Sequence, residues 1–465
     1  MAESSYRDSI SLVDKAGNRN WVYPKKPKGP LYQGRTWFSI GLILLLFGGP
    51  FIEFNGHPLL LLNVLDRKFI IFGIPFWPQD LPLFALLMIT FVMFVIVFTV
   101  VFGRVFCGWA CPQTVFMEML FRKIEYWIEG DYKAQQKLDK QEWDMEKALK
   151  KGSKHVLFFA LALLIANTFL SYLIGFDEVK KLITDGPMQH LGKFIALVIF
   201  STVFYLVFAK MRELVCIVVC PYGRLQGLML DKNSIVVAYD YIRGEPRGFR
   251  KKGVEQNLGD CVDCKRCVQV CPTGIDIRNG TQLECINCTA CIDECNDVMV
   301  KIGEPKGLIR YASQQEIATG KVKRITTRSI AYMTILAVLV STLTFLLVTR
   351  KDVESAILRT PGLMHQEQGN GMISNMYNFE VVNKTFHEQQ VELIILRPAG
   401  ATLKMVDRES AKLTLHEDDL LKGSFFIMIP QQQIKANNTE AEVAVYSNGR
   451  LMKNIVTNFV APVKQ

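Results

Sequence analysis

Five stretches of this chain are apolar at almost every position: residues 36–54, 81–106, 156–176, 191–209 and 329–348. Each is near or above the roughly 18 residues a helix needs to cross a bilayer. Runs such as LPLFALLMITFVMFVIVFTVVFG are too long and too uniform for a core helix of a soluble enzyme, so the pattern predicts five membrane spans. Polarity returns over 213–328. Beyond residue 375 the period shortens, and FEVVNKTF, QVELIILRP, ATLKMVD, AKLTLHE, GSFFIMIP, AEVAVYSNG and NIVTNFVAP read as short strands separated by turn residues. That spacing predicts an all-β sandwich of immunoglobulin-like type.

Lysine and arginine orient the spans. The segment before residue 36 carries seven (Arg7, Lys15, Arg19, Lys25, Lys26, Lys28, Arg35) and the 112–154 loop nine, whereas 55–80 has only Arg67 and Lys68 and 177–190 only Lys180 and Lys181. The positive-inside rule puts the N-terminus and the loops 112–154 and 210–328 in the cytoplasm, and the tail from 350 outside. The first thirty-five residues show no apolar core before a small-residue cleavage site, so no cleavable signal peptide is expected. The net charge of +10 lies wholly before residue 351, beside the membrane, where anionic lipid rather than nucleic acid accounts for it. The basic stretch Arg243, Arg247, Arg250, Lys251, Lys252 reads as a solvated juxtamembrane face, with steering of an acidic redox partner as the alternative.

The chain's twelve cysteines sharpen this picture. Eight read C-x2-C-x2-C-x3-C twice, at Cys261, Cys264, Cys267, Cys271 and at Cys285, Cys288, Cys291, Cys295. This is the spacing of a bacterial two-cluster ferredoxin, in which the fourth cysteine of each run ligates the other cluster. One [4Fe–4S] cluster is therefore assigned to Cys261, Cys264, Cys267 and Cys295, and the other to Cys285, Cys288, Cys291 and Cys271. Structural zinc is the alternative use of such thiols, and a c-type haem is excluded because C-x-x-C-H is absent. Asp260, Asp263, Asp293, Glu294 and Asp297 would lower the cluster potentials if they lie close. The clusters read as a conduit for single electrons, with a purely structural role as the bland alternative.

The other four cysteines form an internal repeat. RVFCGWACPQTVFMEML follows the second span and ELVCIVVCPYGRLQGLML the fourth, so Cys107 and Cys111, like Cys216 and Cys220, stand four residues apart. On a helix each pair shares a face, and Pro112 and Pro221 put the second cysteine at a kink or helix end. These thiols suit copper or redox chemistry; buried apolar cysteines are the alternative. Arg104 and Arg212 precede the pairs as thiolate partners or interface anchors. None of the six histidines lies in mid-span, which leaves a bis-histidine membrane haem without ligands.

The expected fold class is a multi-domain integral membrane protein: a five-span α-helical membrane domain, an inserted α+β two-cluster ferredoxin domain and a C-terminal all-β immunoglobulin-like sandwich. The expected divisions are 1–35, 36–212, 213–328 (ferredoxin about 255–305), 329–349 and 350–465.

This order of parts resembles the cytochrome oxidase accessory protein family CcoG, also known as FixG or RdxA. The resemblance rests on VYPKKPKGPLYQGRTW before the first span, both C-x3-C-P repeats, CVDCKRCVQVCPTGIDIRNGTQLECINCTACIDEC and the β tail. It implies a multi-pass protein of the bacterial inner membrane that serves maturation of a cbb-type oxidase by reducing Cu(II) to Cu(I). The partners implied are membrane lipid, a cytoplasmic electron donor, copper ion and oxidase assembly factors, with homo-oligomerisation left open and no catalytic residue assigned. The competing readings are a NapH-like polyferredoxin, which passes electrons from quinol to a periplasmic reductase, and a non-enzymatic assembly scaffold.

Overall fold

The computed structural model describes residues 12–462 apart from 14–15, 17, 55, 64–67, 78–79, 187, 250–256, 322–325, 361, 363–364, 369–370, 407–409, 418 and 435. Arg7, Lys15 and Arg67 of the orienting charges, and Arg250, Lys251 and Lys252 of the basic stretch, lie outside the described residues. Among the described residues five helices are long and apolar enough to cross a membrane: Pro30–Phe51, Leu81–Phe102, Met145–Ile174, Leu191–Met211 and Thr327–Val348. Trp37, Leu44, Phe91, Val338 and Phe345 are exposed on them, as expected of helices solvated by lipid.

Two spans begin earlier than hydropathy alone predicts. The first starts at Pro30, where proline's missing N–H costs nothing and the Asp293 carboxylate accepts the amides of Leu31 and Tyr32 at 3.4 and 2.8 Å. The third starts at Met145, because Asp144 accepts the Lys147 amide at 2.8 Å and the opening turns are polar.

The chain forms two compact units, 1–52 with 85–341 and 53–84 with 342–465. In the first, strand Val236–Tyr239 pairs antiparallel with Ile309–Ala312 beside the cysteine loops. Val237, Tyr239, Ile275, Ile277, Ile292, Met299 and Ile309 make a core that includes Cys261 and Cys267. This core takes in strands on both sides of the cysteine-bearing segment.

The second unit contains a sandwich of two antiparallel sheets. One orders its strands Thr402–Met405, Leu420–Pro430, Met372–Asn383 and Val353–Arg359, with Gln366–Gln368 beside Met372–Asn383. The other orders Lys412–Leu415, Gln389–Arg397, Asn438–Ser447 and Arg450–Val460. Tyr377, Phe379, Val381, Phe425 and Ile427 from the first share one core with Val391, Leu393, Leu415, Val443 and Val445 from the second. Nothing in the linear pattern announces that residues 53–84 belong with this tail. They contribute a three-stranded sheet, Leu60–Asn63, Lys68–Ile71 and Ile74–Phe76, and carry Asp80.

Asp80 is buried and accepts from Lys384 Nζ at 2.5 Å and Arg350 at 2.6 Å, while Lys384 also reaches Glu354. Burial pushes the Asp80 carboxyl up, but Lys384 and Arg350 outweigh it and hold the group below its ordinary 3.8. A depressed folded value contributes stability that is present above the unfolded pKa and is lost as pH falls through the folded one. Asp80→Ala is expected to destabilise this unit by about 3 kcal/mol, read as a lower denaturant midpoint. Glu354→Gln, at a half-exposed partner, should cost under about 1 kcal/mol. Acidification below the ordinary 3.8 should weaken the wild type, and Asp80→Asn should lack that part of the acid response.

Candidate functional site

The two cysteine runs share a backbone device. Asp263 and Lys265 flank Cys264 with φ of 51° and 55°, and Asn287 and Thr289 flank Cys288 with φ of 54° and 67°. Left-handed geometry at such residues costs about 1–2 kcal/mol each and persists where the surroundings impose it. Positive φ at alternate residues is the kind of backbone turn by which N–H groups come to face an anion, a feature of many iron–sulfur sites.

The thiols gather in two sets. The Cys267 thiol lies within electrostatic reach of Cys295 and Cys264, and Cys295 within reach of Cys261 and Cys264. Cys285 and Cys288 both feel Cys271, and Cys291 feels Cys288, Cys285, Cys271 and, more weakly, Cys267. Cys271, Cys285, Cys288 and Cys291, together with Cys267, line a cavity of about 20 Å³ walled by Val237, Ile275, Ile277 and Ile286. Backbone N–H groups donate to sulfur from Thr273, Gly274 and Ile275 at Cys271, and from Ala290 at Cys288.

All twelve cysteines are free thiols. Burial pushes Cys267, Cys285 and Cys295 up to about 12 and Cys288 to about 11, so metal capture must drive their deprotonation. Among the described residues no three His, Cys, Asp or Glu side chains are gathered tightly enough to hold one metal ion. Tetrahedral zinc would bring its sulfurs within about 4 Å of one another. Two runs of four thiols at ferredoxin spacing, rather than one tight tetrahedral group, are the donor set that [4Fe–4S] clusters take.

The C-x3-C-P turns break at their second cysteine. Cys111 and Cys220 are extended (φ −62°, ψ 124° and φ −70°, ψ 111°), and Pro112 and Pro221 each open a new helix, so neither pair rides on one continuous helix. Each turn closes with an i→i−5 bond, Cys111 N–H to Phe106 at 2.9 Å and Cys220 N–H to Val215 at 2.7 Å. The Cys216 thiol, pushed up to about 12 by burial and then by Cys111, Cys107 and Cys220, shows that the two turns converge. Cys107 packs in one buried cluster with Ile286, Cys288 and Cys291.

The charged neighbours divide differently from expectation. Arg104 donates to Gln226 at 3.0 Å, and the same Gln226 oxygen accepts the Cys107 S–H at 3.1 Å. Arg212 instead donates to Glu125 at 2.7 and 3.2 Å, within a buried ion network. Of the acids expected to depress the clusters, Asp260 is taken by Arg243, Asp263 by Arg278, and Glu294 by Lys25. Asp297 pairs with Lys301 at 2.5 Å, and Asp293 caps the first helix. Arg35 lies in VYPKKPKGPLYQGRTW and Gln226 in ELVCIVVCPYGRLQGLML, but nothing local in either segment marks a side chain that reaches the first thiol turn from so far along the chain.

Comparison with known proteins adds three matches. Residues 211–314 match a 4Fe-4S dicluster domain, residues 84–133 a 4Fe-4S binding domain, and residues 343–462 the IG-like fold at the C-terminal of FixG. The 84–133 match contains only two cysteines, Cys107 and Cys111. The chain is 33% identical over 400 residues to protein RdxA of Cereibacter sphaeroides, covering 82% of this chain and 83% of that one. It is 32% identical over 431 residues to RdxB of the same organism, covering 88% and 89%. Nitrogen fixation protein FixG of Rhizobium meliloti is 29% identical over 462 residues, covering 89% and 87%.

The purified chain is expected to hold about eight irons, and about twelve if the four membrane-edge thiols bind a third cluster. Cys285→Ser should alter one of two paramagnetic signals and spare the other. Gly108→Ala should destabilise the first unit by about 1–3 kcal/mol, because its Cβ would stand 2.3 Å from the Ile286 carbonyl; thermal unfolding of the full chain reads this.

Proposed function

The chain belongs to the FixG/RdxA family of membrane ferredoxins, and on that premise we propose that it delivers single electrons to thiols at the membrane edge, where Cu(II) becomes Cu(I). It is a multi-pass membrane protein of iron–sulfur electron transfer. The finer reading is that Cys261, Cys264, Cys267 and Cys295 hold one cluster and Cys271, Cys285, Cys288 and Cys291 the other. The product ion would serve assembly of a cbb-type oxidase. The lysine and arginine asymmetry supports a cytoplasmic ferredoxin and a periplasmic tail.

The observation that carries this reading is the one buried cluster that Cys107 shares with Cys288 and Cys291. A thiol that shares its buried contacts with two cluster ligands provides a short route out of the ferredoxin. Each bound cluster supplies a one-electron couple, which matches the stoichiometry of Cu(II) + e⁻ → Cu(I). Cys107, Cys111, Cys216 and Cys220 contribute soft sulfur, which favours the Cu(I) product over Cu(II). The exposure of Cys264 supports entry of electrons from a cytoplasmic donor at the first set.

A second reading has its own support. A cavity of about 290 Å³ between the first and second spans is lined by Phe38, Phe94, Phe98, Phe106, Trp109 and Tyr222. An apolar, aromatic cavity beside Cys107 suits a lipid-soluble quinol as donor, as in a NapH-like electron carrier.

The test reduces the full chain anaerobically, removes the reductant and adds Cu(II) with a Cu(I)-specific chelator. Wild type should yield one Cu(I) per reduced cluster, Cys264→Ala should lose most of that yield, and Cys107→Ser should keep its iron but slow the reaction at least tenfold. Copper reduction at the wild-type rate in both variants would sink the proposal; quinol-dependent cluster reduction without copper turnover would favour the second reading.

A further inference from the structure

Two guanidiniums are buried beside the second cysteine set with hydrogen-bonding capacity unused. Arg35, 1% exposed, donates from Nε to the Gly108 carbonyl at 2.7 Å, and one of its terminal nitrogens has no partner. Arg104, 3% exposed, donates from Nε to Gln226, and one of its terminal nitrogens is likewise unpartnered. Guanidinium remains charged in proteins, and burying it without a counter-ion is costly. Among the described residues neither forms an ion pair with a carboxylate, and Glu118, the acid of that neighbourhood, is engaged by Arg122 at 3.0 Å.

Both arginines face the same neighbour. Gly108, whose carbonyl Arg35 holds, lies against the Ile286 and Asn287 backbone, between Cys285 and Cys288. Arg104 shares the Gln226 oxygen with the Cys107 thiol, which belongs to one buried cluster with Cys288 and Cys291. The first set is surrounded differently. Its cations are already neutralised, Arg278 by Asp276 at 2.6 Å and by Asp263, and Arg243 by Asp260.

We propose that Arg35 and Arg104 are the counter-charge of the cluster held by Cys271, Cys285, Cys288 and Cys291, and that they keep its reduction potential above that of the other cluster. The inference rests on the two-cluster reading above. A thiolate-bound cluster is an anion that becomes more negative on reduction, so an unneutralised cation nearby favours the reduced form. Burial alone would act the other way, because it penalises the more highly charged state. In a dry interior the field of two guanidiniums is poorly screened, and it reverses the order. Electrons entering at exposed Cys264 then run downhill toward Cys107.

The test is a redox titration of the full chain followed by paramagnetic resonance, with the second cluster identified as the signal that Cys271→Ser perturbs. In wild type that signal should titrate at the higher potential. Arg35→Met and Arg104→Met should each lower its midpoint, cutting its reduced-to-oxidised ratio about tenfold or more at a fixed potential, with the other signal unmoved. Arg35→Lys, which keeps the charge, should restore most of the shift. Equal or inverted wild-type midpoints would overturn the proposal, and that measurement stands even if a Met variant loses iron. Unmoved midpoints, or equal shifts of both signals, would overturn it as well. Absence of two signals and of about eight irons would instead refute the two-cluster reading itself.

Discussion

The first unit depends on how closely one turn approaches the ferredoxin backbone. A Cβ on Gly103 would stand 2.4 Å from the Ile235 carbonyl, and one on Gly108 2.3 Å from that of Ile286, so only glycine lets the 103–108 segment lie there. Gly103 also has φ of 59°, which a side chain would oppose. The approach is fixed from several directions. Ser234 donates to the Val100 carbonyl at 3.0 Å, the Ile235 amide to Val101 at 3.3 Å, and Arg35 to Gly108. Without this contact Cys107 would not reach Cys288 and Cys291, and the membrane-edge thiols would be isolated from the ferredoxin.

How much of this was legible depends on the range of the interactions involved. Cysteine spacing is local chemistry, so the 4Fe-4S character of the segment could be read from the chain. The spans and the sandwich could be read because hydropathy and period-two alternation are repeated over many residues. What could not be read are contacts between distant segments. Asp80 meets Lys384 across 304 residues, and that pair joins residues 53–84 to the tail. The acids around the clusters misled for the same reason. Asp260 and Asp263 look like free negative charge in the sequence, yet Arg243 and Arg278 reach them through the fold. Net field at a cluster follows from pairing, and pairing is tertiary.

The two C-x3-C-P turns began as equivalent halves of a repeat, but their surroundings give them different work. Arg122 is buried between Glu118, downstream of the first pair, and Glu213, just upstream of the second, and so ties the turns together. Arg212 completes that tie by holding Glu125, which also feels Lys154. A buried network of this kind adds little net stability over apolar packing, but each partner it loses strands a charge, so it tolerates one arrangement only. Among the described residues Arg104 has no carboxylate partner: it meets Gln226 and the Cys107 thiol, and part of its guanidinium is unpaired. The first repeat has therefore kept its cation for the thiols and the ferredoxin, whereas the second has committed its cation to holding the turns in place. On the electron-transfer reading proposed above, Cys107 rather than Cys216 is the thiol placed to link the two cysteine systems, because among the described residues it shares a buried cluster with Cys288 and Cys291 and has beside it a guanidinium without a carboxylate partner.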